Sequence, residues 1–377
     1  MKIAHVVTYV SPDGAFGGPV RVALGQAAEL ASRGHDVTVF AASPDKAPKV
    51  VEQDGYRLLL FPARRVHRRL GFAGMRADGL TRALRASLPA LDLVHVHLAR
   101  DLVTLPAARV VRKAGVRLVV QPHGMIDRSQ NPLAIPIDRW ETKPSLSAAA
   151  AVLTLTAQEK ADIRSIVPEA EVRSIGNGIK VGVVPPYEGR EGGIVFLARL
   201  HPRKRPLVFV EAAVDVLERH PDERFILAGP DEGEGEKVAQ MIEQAGLGDR
   251  ITWVGPIEPG QTDALLRNAK AFVLPSFGEV FPMTVLESFS AGTPVITTSS
   301  LGIADRCKHY SAAIVTDGSV TAIAEAIELV LSSTEQVVAL REGARRFIES
   351  DLSIESVVDR LLEIYESRDE QREKINA

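Results

Sequence analysis

Apolar runs of strand length alternate with segments of helical period along the whole chain, the pattern expected of parallel sheets covered by helices on both faces. In the first half, the runs at Ile3 to Val7, Val37 to Ala41, Leu93 to His97, Leu118 to Gln121 and Ala151 to Leu155 predict strands. Val20 to Arg33 repeats at helical spacing, and Gly34 follows where a C-cap glycine belongs. The second half restarts the programme, with strands predicted at Ile194 to Ala198, Phe225 to Ala228, Ile251 to Val254, Ala271 to Leu274, Val295 to Thr297 and Ala313 to Val315. Pro206 to Arg219 and Val238 to Ala245 are helical segments between them. The stretch GNGIKVGVVPPYEGREGG at 176–193 keeps neither period and is dense in glycine and proline, so the domain boundary is placed there. Residues 1–180 and 181–360 are expected to form two doubly wound α/β domains facing each other across a cleft. The helical pattern from Ile354 to about Arg372 ends in the charged run ESRDEQREK, and 361–377 is expected to be a helix that packs back on the first domain.

A length of 377 residues exceeds what one hydrophobic core usually spans, which supports the two-domain reading. With 45% hydrophobic and 25% charged residues, the chain forms cores and is neither disordered nor a coiled coil. A net charge of -3 supplies no global field for nucleic acid, so attraction to phosphate must be local. The single cysteine, Cys307, can neither close an intramolecular disulfide nor build a thiolate zinc site, which points to a reducing compartment. The apolar start is broken at Ser11, Pro12 and Asp13, too early for a signal peptide or a membrane span. The expected location is the cytoplasm.

Ligands of doubly wound sheets bind beyond the carboxyl ends of strands. In LPSFGEVFPMTVLESFSAGTPVI, 274–296, a strand runs into a glycine-containing loop and then a helix that starts near Pro282, where proline suits the first turn. The amides of Met283, Thr284 and Val285 then point out of the helix start and suit a phosphate. Glu287 lies on the same helix face, placed to accept from a ribose diol, and Glu279 in the loop is placed to accept from sugar hydroxyls. In VFLARLHPRKRPLVFVEAA, 195–213, Arg199 ends a strand and Lys204 precedes a helix, a fork and a point charge suited to clamp a diphosphate.

Taken in order, these motifs resemble the retaining glycosyltransferases of family 4 with the GT-B fold, in which two Rossmann-like domains face each other. Glu279 and Glu287 match that family's E-x7-E signature, which implies that they hold the donor sugar and the ribose. Arg199 and Lys204 match the pair that binds the diphosphate and stabilises it as leaving group. Gly17 and Gly18, in DGAFGGPVRVAL, match glycines that let the first loop approach the donor phosphates and acceptor, and His123 with Gly124, in VVQPHGM, matches the interdomain histidine loop. Two departures stand out: Phe281-Pro282 where the family has Phe-Gly, and Ala198 where it has glycine before the arginine. The resemblance implies transfer of a sugar from a UDP- or GDP-sugar substrate to a glycan or lipid-linked glycan; no cofactor is expected, and no metal, since Arg199, Lys204 and a helix start already supply positive groups for the diphosphate.

His95 and His97 alternate onto one strand face without an obvious carboxylate or cysteine partner and are read as structural rather than as a zinc pair. Arg64, Arg65, Arg68, Arg69, Arg76, Arg82 and Arg85, interleaved with Leu70, Phe72 and Met75, suit either a solvated face or peripheral contact with an anionic membrane. SPDGAFGGP after the first strand in place of G-x-G-x-x-G, and the lack of a ribose-binding acid immediately after Val37 to Ala41, argue against a Rossmann dehydrogenase. A GT-B nucleotide-sugar epimerase or phosphorylase and a non-catalytic nucleotide-sugar binder remain as alternatives.

Overall fold

A computed structural model describes residues 1–10, 17–66, 73–127, 134–182, 184 and 186–367. The chain divides into two units, Met1–Gly178 joined by the chain from Ile354 onward, and Ile179–Ser353. The second unit therefore ends before residue 360, and the returning helix begins at Ile354 rather than at 361.

The first unit is built on β1 (Lys2–Tyr9), β2 (Asp36–Ser43), β3 (Lys49–Gln53), β4 (Tyr56–Arg65), β5 (Met75–Ala77), β6 (Leu93–Val96), β7 (Arg117–Val120), β8 (Ala151–Thr154) and β9 (Val172–Ser174). They lie in the order β3-β4-β2-β1-β6-β7-β8-β9, with β5 attached to β4. Pairing is parallel except where β3 and β5 meet β4. The β3–β4 hairpin turns at Asp54 and Gly55, with φ of 46° and 81°. Two successive positive φ angles match the right-handed twist of the flanking strands, which is why Asp-Gly favours such turns.

The helix Ile354–Glu366 buries Ile354, Val357, Val358, Leu361 and Tyr365, the apolar stripe of an amphipathic helix. Each of these side chains contributes about 1.5–3 kcal/mol on burial. Arg33 at the end of helix Gly17–Ser32 pairs with Asp359 and donates to the Glu355 carbonyl at 2.9 Å. Arg117 donates to the Ile364 carbonyl at 3.1 Å.

The second unit has β10 (Ile194–Leu197), β11 (Phe225–Ala228), β12 (Ile251–Trp253), β13 (Ala271–Leu274), β14 (Val295–Thr298) and β15 (Ile314–Thr316), all parallel in the order β12-β11-β10-β13-β14-β15. Every residue of β10 and β13 is buried, because helices cover both faces of a parallel sheet. Successive strands leave β10 toward β11 on one side and arrive at β13 on the other. The order thus reverses between β10 and β13, which opens a crevice at their carboxyl ends. No helix among the described residues is long and apolar enough to cross a membrane.

Candidate active site

The crevice of the second unit collects the residues singled out in its sequence. Arg199 lies just past β10, and Lys204 ends a tight turn, Pro202–Lys204, that leads into helix Pro206–Leu217. His201 organises this turn: its carbonyl accepts the Lys204 N–H at 2.8 Å and its Nδ1 accepts the Arg203 N–H at 3.1 Å. The Phe277 N–H donates to the Arg203 carbonyl at 2.8 Å, tying the loop after β13 to the loop after β10. That tie carries Glu279 to Lys204, whose Nζ donates to Oε1 at 2.5 Å, while Arg203 Nη2 lies 3.2 Å from the same oxygen. Burial lowers the Lys204 pKa, and the adjacent Glu279 carboxylate acts in the opposite direction.

Arg199 is held by a residue that the sequence did not single out. Its Nη1 donates to both oxygens of Glu232, at 2.7 and 2.9 Å. The Glu232 N–H donates to the Leu200 carbonyl at 3.1 Å, and Asp231 Oδ1 accepts the N–H groups of Gly233, Glu234 and Gly235 at 2.9, 3.1 and 2.8 Å. The loop after β11 is thereby fixed against the loop after β10. Gly229 is required for this approach, since a Cβ there would sit 2.0 Å from the Ala198 carbonyl oxygen.

Helix Met283–Ser290 follows the Glu279 loop. Pro282 has φ -74° and ψ 113°, so it is the extended residue before the helix and not part of its first turn. Val285 does not present its amide outward: it donates to the Pro282 carbonyl at 3.1 Å. Met283 and Thr284 open the helix ahead of its first full turn, where backbone amides have no partner within the helix. Glu287 is half-buried one turn further on.

In the first unit, parallel pairing sets His5 opposite His95, and strand alternation brings His97 to the same face. His123 follows β7 at φ 55°, and the Met125 N–H closes the turn on the Pro122 carbonyl at 3.0 Å. Glu159, 2% exposed, accepts from the Gly124 N–H and the Leu155 N–H, both at 2.6 Å. Its sequence signal was the capping pattern Thr156-x-x-Glu159, and Thr156 does cap the helix Ala157–Ile166 by accepting the Glu159 N–H at 3.1 Å. His5 Nδ1 lies 3.1 Å from His97 Nε2, His97 Nδ1 lies 2.7 Å from His123 Nε2, and His95 Nδ1 lies 2.7 Å from the Tyr365 hydroxyl. Burial lowers the pKa of all four imidazoles, to about 3 for His5 and His123.

Nitrogens of His5, His95 and His97 spread over up to 4.8 Å. That exceeds the roughly 4.2 Å that two Zn–N bonds span, so the rings as placed do not fit one zinc ion.

Gly17 and Gly18 lie in the first turn of helix Gly17–Ser32 rather than in a loop, and a Cβ on Gly18 would meet nothing within 4 Å. Residues 11–16 of the expected loop lie outside the described residues. Of the arginine-rich segment, Arg68, Arg69, Leu70 and Phe72 also lie outside them. Arg64 and Arg76 share Asp78, at 2.7 and 3.5 Å, and Met75 is buried, so it offers no apolar surface to a membrane.

The family model described as glycosyl transferases group 1 matches residues 188–347, and the glycosyl transferase 4-like domain model matches residues 17–178. Together they account for most of both units. The chain is a glycosyltransferase of GT-B type. This glycosyltransferase is 24% identical to a putative glycosyltransferase of Bacillus subtilis, over 97% of its own chain and 92% of the relative. It is 26% identical to the 2-deoxystreptamine glucosyltransferase of Streptomyces kanamyceticus, over 90% of its own chain and 95% of the relative. Its fold is similar to sucrose-phosphate synthase from Thermosynechococcus elongatus, with a TM-score of 0.72 at 19% identity, covering 97% of this chain and 98% of that one. Anabaena HepE, in complex with UDP and glucose, gives a TM-score of 0.74 at 16% identity, covering 96% and 98%.

Proposed function

We propose that the enzyme transfers a sugar from a UDP- or GDP-sugar to an acceptor hydroxyl of a glycan or lipid-linked glycan, with retention of anomeric configuration. The observation that supports this reading is Arg199 just past β10 with Lys204 bonded to Glu279, in the loop that leads from β13 into helix Met283–Ser290. A diphosphate seated there receives a planar fork, an ammonium and two helix amides, and these stabilise the charge that grows as the bond from the anomeric carbon to the phosphate oxygen breaks. The acceptor oxygen bonds to the anomeric carbon on the face the leaving group vacates, and its proton passes to the departing phosphate oxygen. Retention then needs no enzymic nucleophile. Glu279, already bonded to Lys204, is placed to accept from donor sugar hydroxyls, and Glu287 from the ribose.

These positive groups take the place that a divalent metal would otherwise fill, so turnover is expected to survive chelation. Incubation with a panel of UDP-, GDP- and ADP-sugars and candidate acceptors, with EDTA present, tests the whole reading: it expects a released nucleoside diphosphate and an α-linked product from an α-linked donor. A β-linked product, hydrolysis alone, or no release from any donor would overturn it. We further propose a cytoplasmic enzyme with reversible contact to anionic lipid through Arg64, Arg65, Arg76, Arg82 and Arg85. Equal sedimentation with neutral and anionic vesicles at low salt would discard that contact.

A further inference from the structure

Three imidazoles of the first unit form a continuous chain. Both ring nitrogens of His97 are engaged, Nε2 at 3.1 Å from His5 Nδ1 and Nδ1 at 2.7 Å from His123 Nε2. Each ring is neutral, since burial lowers its pKa, and a neutral imidazole has one N–H and one lone pair. The chain therefore polarises in one of two directions. In the first, Nδ1–H of His5 donates to His97, Nδ1–H of His97 donates to His123, and His123 carries its proton on Nδ1. In the second, every proton sits on the other nitrogen and His123 Nδ1 is a bare lone pair.

The far end of the chain decides between them. His5 Nε2 is buried and has no hydrogen-bond partner among the described residues. The second direction would put an N–H on that atom, an orphaned buried donor, whereas the first leaves only an unused acceptor; stranded buried donors are the rarer of the two. His95 follows the same rule independently: its Nε2 is buried without a partner among the described residues, so its proton belongs on Nδ1, donated to the Tyr365 hydroxyl at 2.7 Å.

We infer that His5 and His97 fix His123 in the Nδ1–H tautomer, so that it meets the substrate as an N–H donor to a sugar hydroxyl oxygen and not as a base. The ring that makes this contact is held by the turn at φ 55° and by the Glu159 bond to the Gly124 N–H at 2.6 Å. His97 and His5 are positioning residues, and their place in transfer rests on the sugar-transfer reading above.

Long-range proton–nitrogen correlation on the full chain labelled at its 9 histidines, assigned by single substitutions, reads each tautomer directly. The expected result is a protonated Nδ1 on His5, His95, His97 and His123 at neutral pH. A bare Nδ1 on His123, or an imidazolium there, overturns the inference. His97→Phe keeps a ring and removes the donor, and is expected to mix the His123 tautomers and lower kcat/KM at least about tenfold, as wrong-tautomer variants do elsewhere. His97→Asn places an amide N–H near the lost Nδ1–H and is expected to recover the tautomer and most of the rate. A wild-type rate and tautomer in a folded His97→Phe protein would also overturn the inference. Failure of the unsubstituted enzyme to transfer from any donor would instead remove the sugar-transfer reading, leaving the tautomers to stand or fall on the spectrum.

Discussion

Around β1 and β6 the first unit buries the neutral imidazoles of His5, His95 and His97 and half-buries that of His123, whereas at the ends of β10 and β13 the second unit keeps charged pairs, Arg199 with Glu232 and Lys204 with Glu279. The contrast follows from solvation. Deep in a sheet an ion costs several kcal/mol to desolvate, while a neutral ring with a hydrogen bond costs little. In the crevice the Arg199–Glu232 pair stays partly in water, so on the proposed sugar-transfer reading a diphosphate would displace Glu232 without stranding a buried charge. The first arrangement keeps buried rings neutral, and the second keeps charge within reach of solvent.

Acid should break the comparison most sharply. His5, His95, His97 and His123 have folded pKa values below their unfolded values near 6.5, so unfolding takes up protons and stability is lost as pH falls from about 6.5 toward 3. Each imidazole contributes up to about 1.4 kcal/mol per pH unit in that window. Asp101 and Glu159, whose carboxyls burial pushes up, act in the opposite sense and offset part of the loss. Hydrogen exchange at pH 5 against pH 7.5 should show β1 and β6 losing protection well before β10 and β13; equal loss in both sheets would mean that the imidazoles are not the acid-labile element.

Arg199→Ala and Lys204→Ala are each expected to slow transfer about a hundredfold or more while circular dichroism stays native, because each removes a donor aimed at charge on the leaving group. Wild-type turnover in either folded variant would remove the clamp from the mechanism. Glu287→Ala should weaken binding of the free nucleoside diphosphate, and Glu279→Ala should leave that binding and impair turnover; calorimetry with the reverse pattern would exchange their roles. The smallest effect belongs to Glu232→Gln, expected to bind UDP or GDP up to about fivefold tighter, in line with the ~1 kcal/mol ceiling of a half-exposed pair. Unchanged or weaker binding would make Glu232 an aligning residue for Arg199 rather than a competitor of the diphosphate.

The second unit was the more legible because its signals are local. Its buried parallel strands read as continuous apolar runs, and Arg199, Lys204, Glu279 and Glu287 lie close to strand or helix ends that their own neighbours mark. Glu232 escaped notice because it meets Arg199 only through the pairing of β10 with β11. His5 escaped for the same reason: nothing near it in sequence announces that register places it against His95. The β3–β4 hairpin is a different case: Asp54-Gly55 is a strong local turn signal and β4 carries the apolar run Leu58 to Phe61, but the largely exposed edge strand β3 has no such run to pair with it. Val285 shows the limit of motif reading at a helix start, where Pro282 in an extended conformation lets its carbonyl claim one amide.

The return of the chain to the first unit at Ile354 has a consequence for biosynthesis. A ribosome delivers all of Ile179–Ser353 before helix Ile354–Glu366 emerges, so the second unit has every residue it needs while the first still lacks a covering helix. Until then His95 has no Tyr365 to bond, and the groove that Val357, Val358 and Leu361 will fill stands open to water and to chaperones. Premature termination soon after Ser353 would thus release a nascent protein with a complete second unit and an unsealed first one.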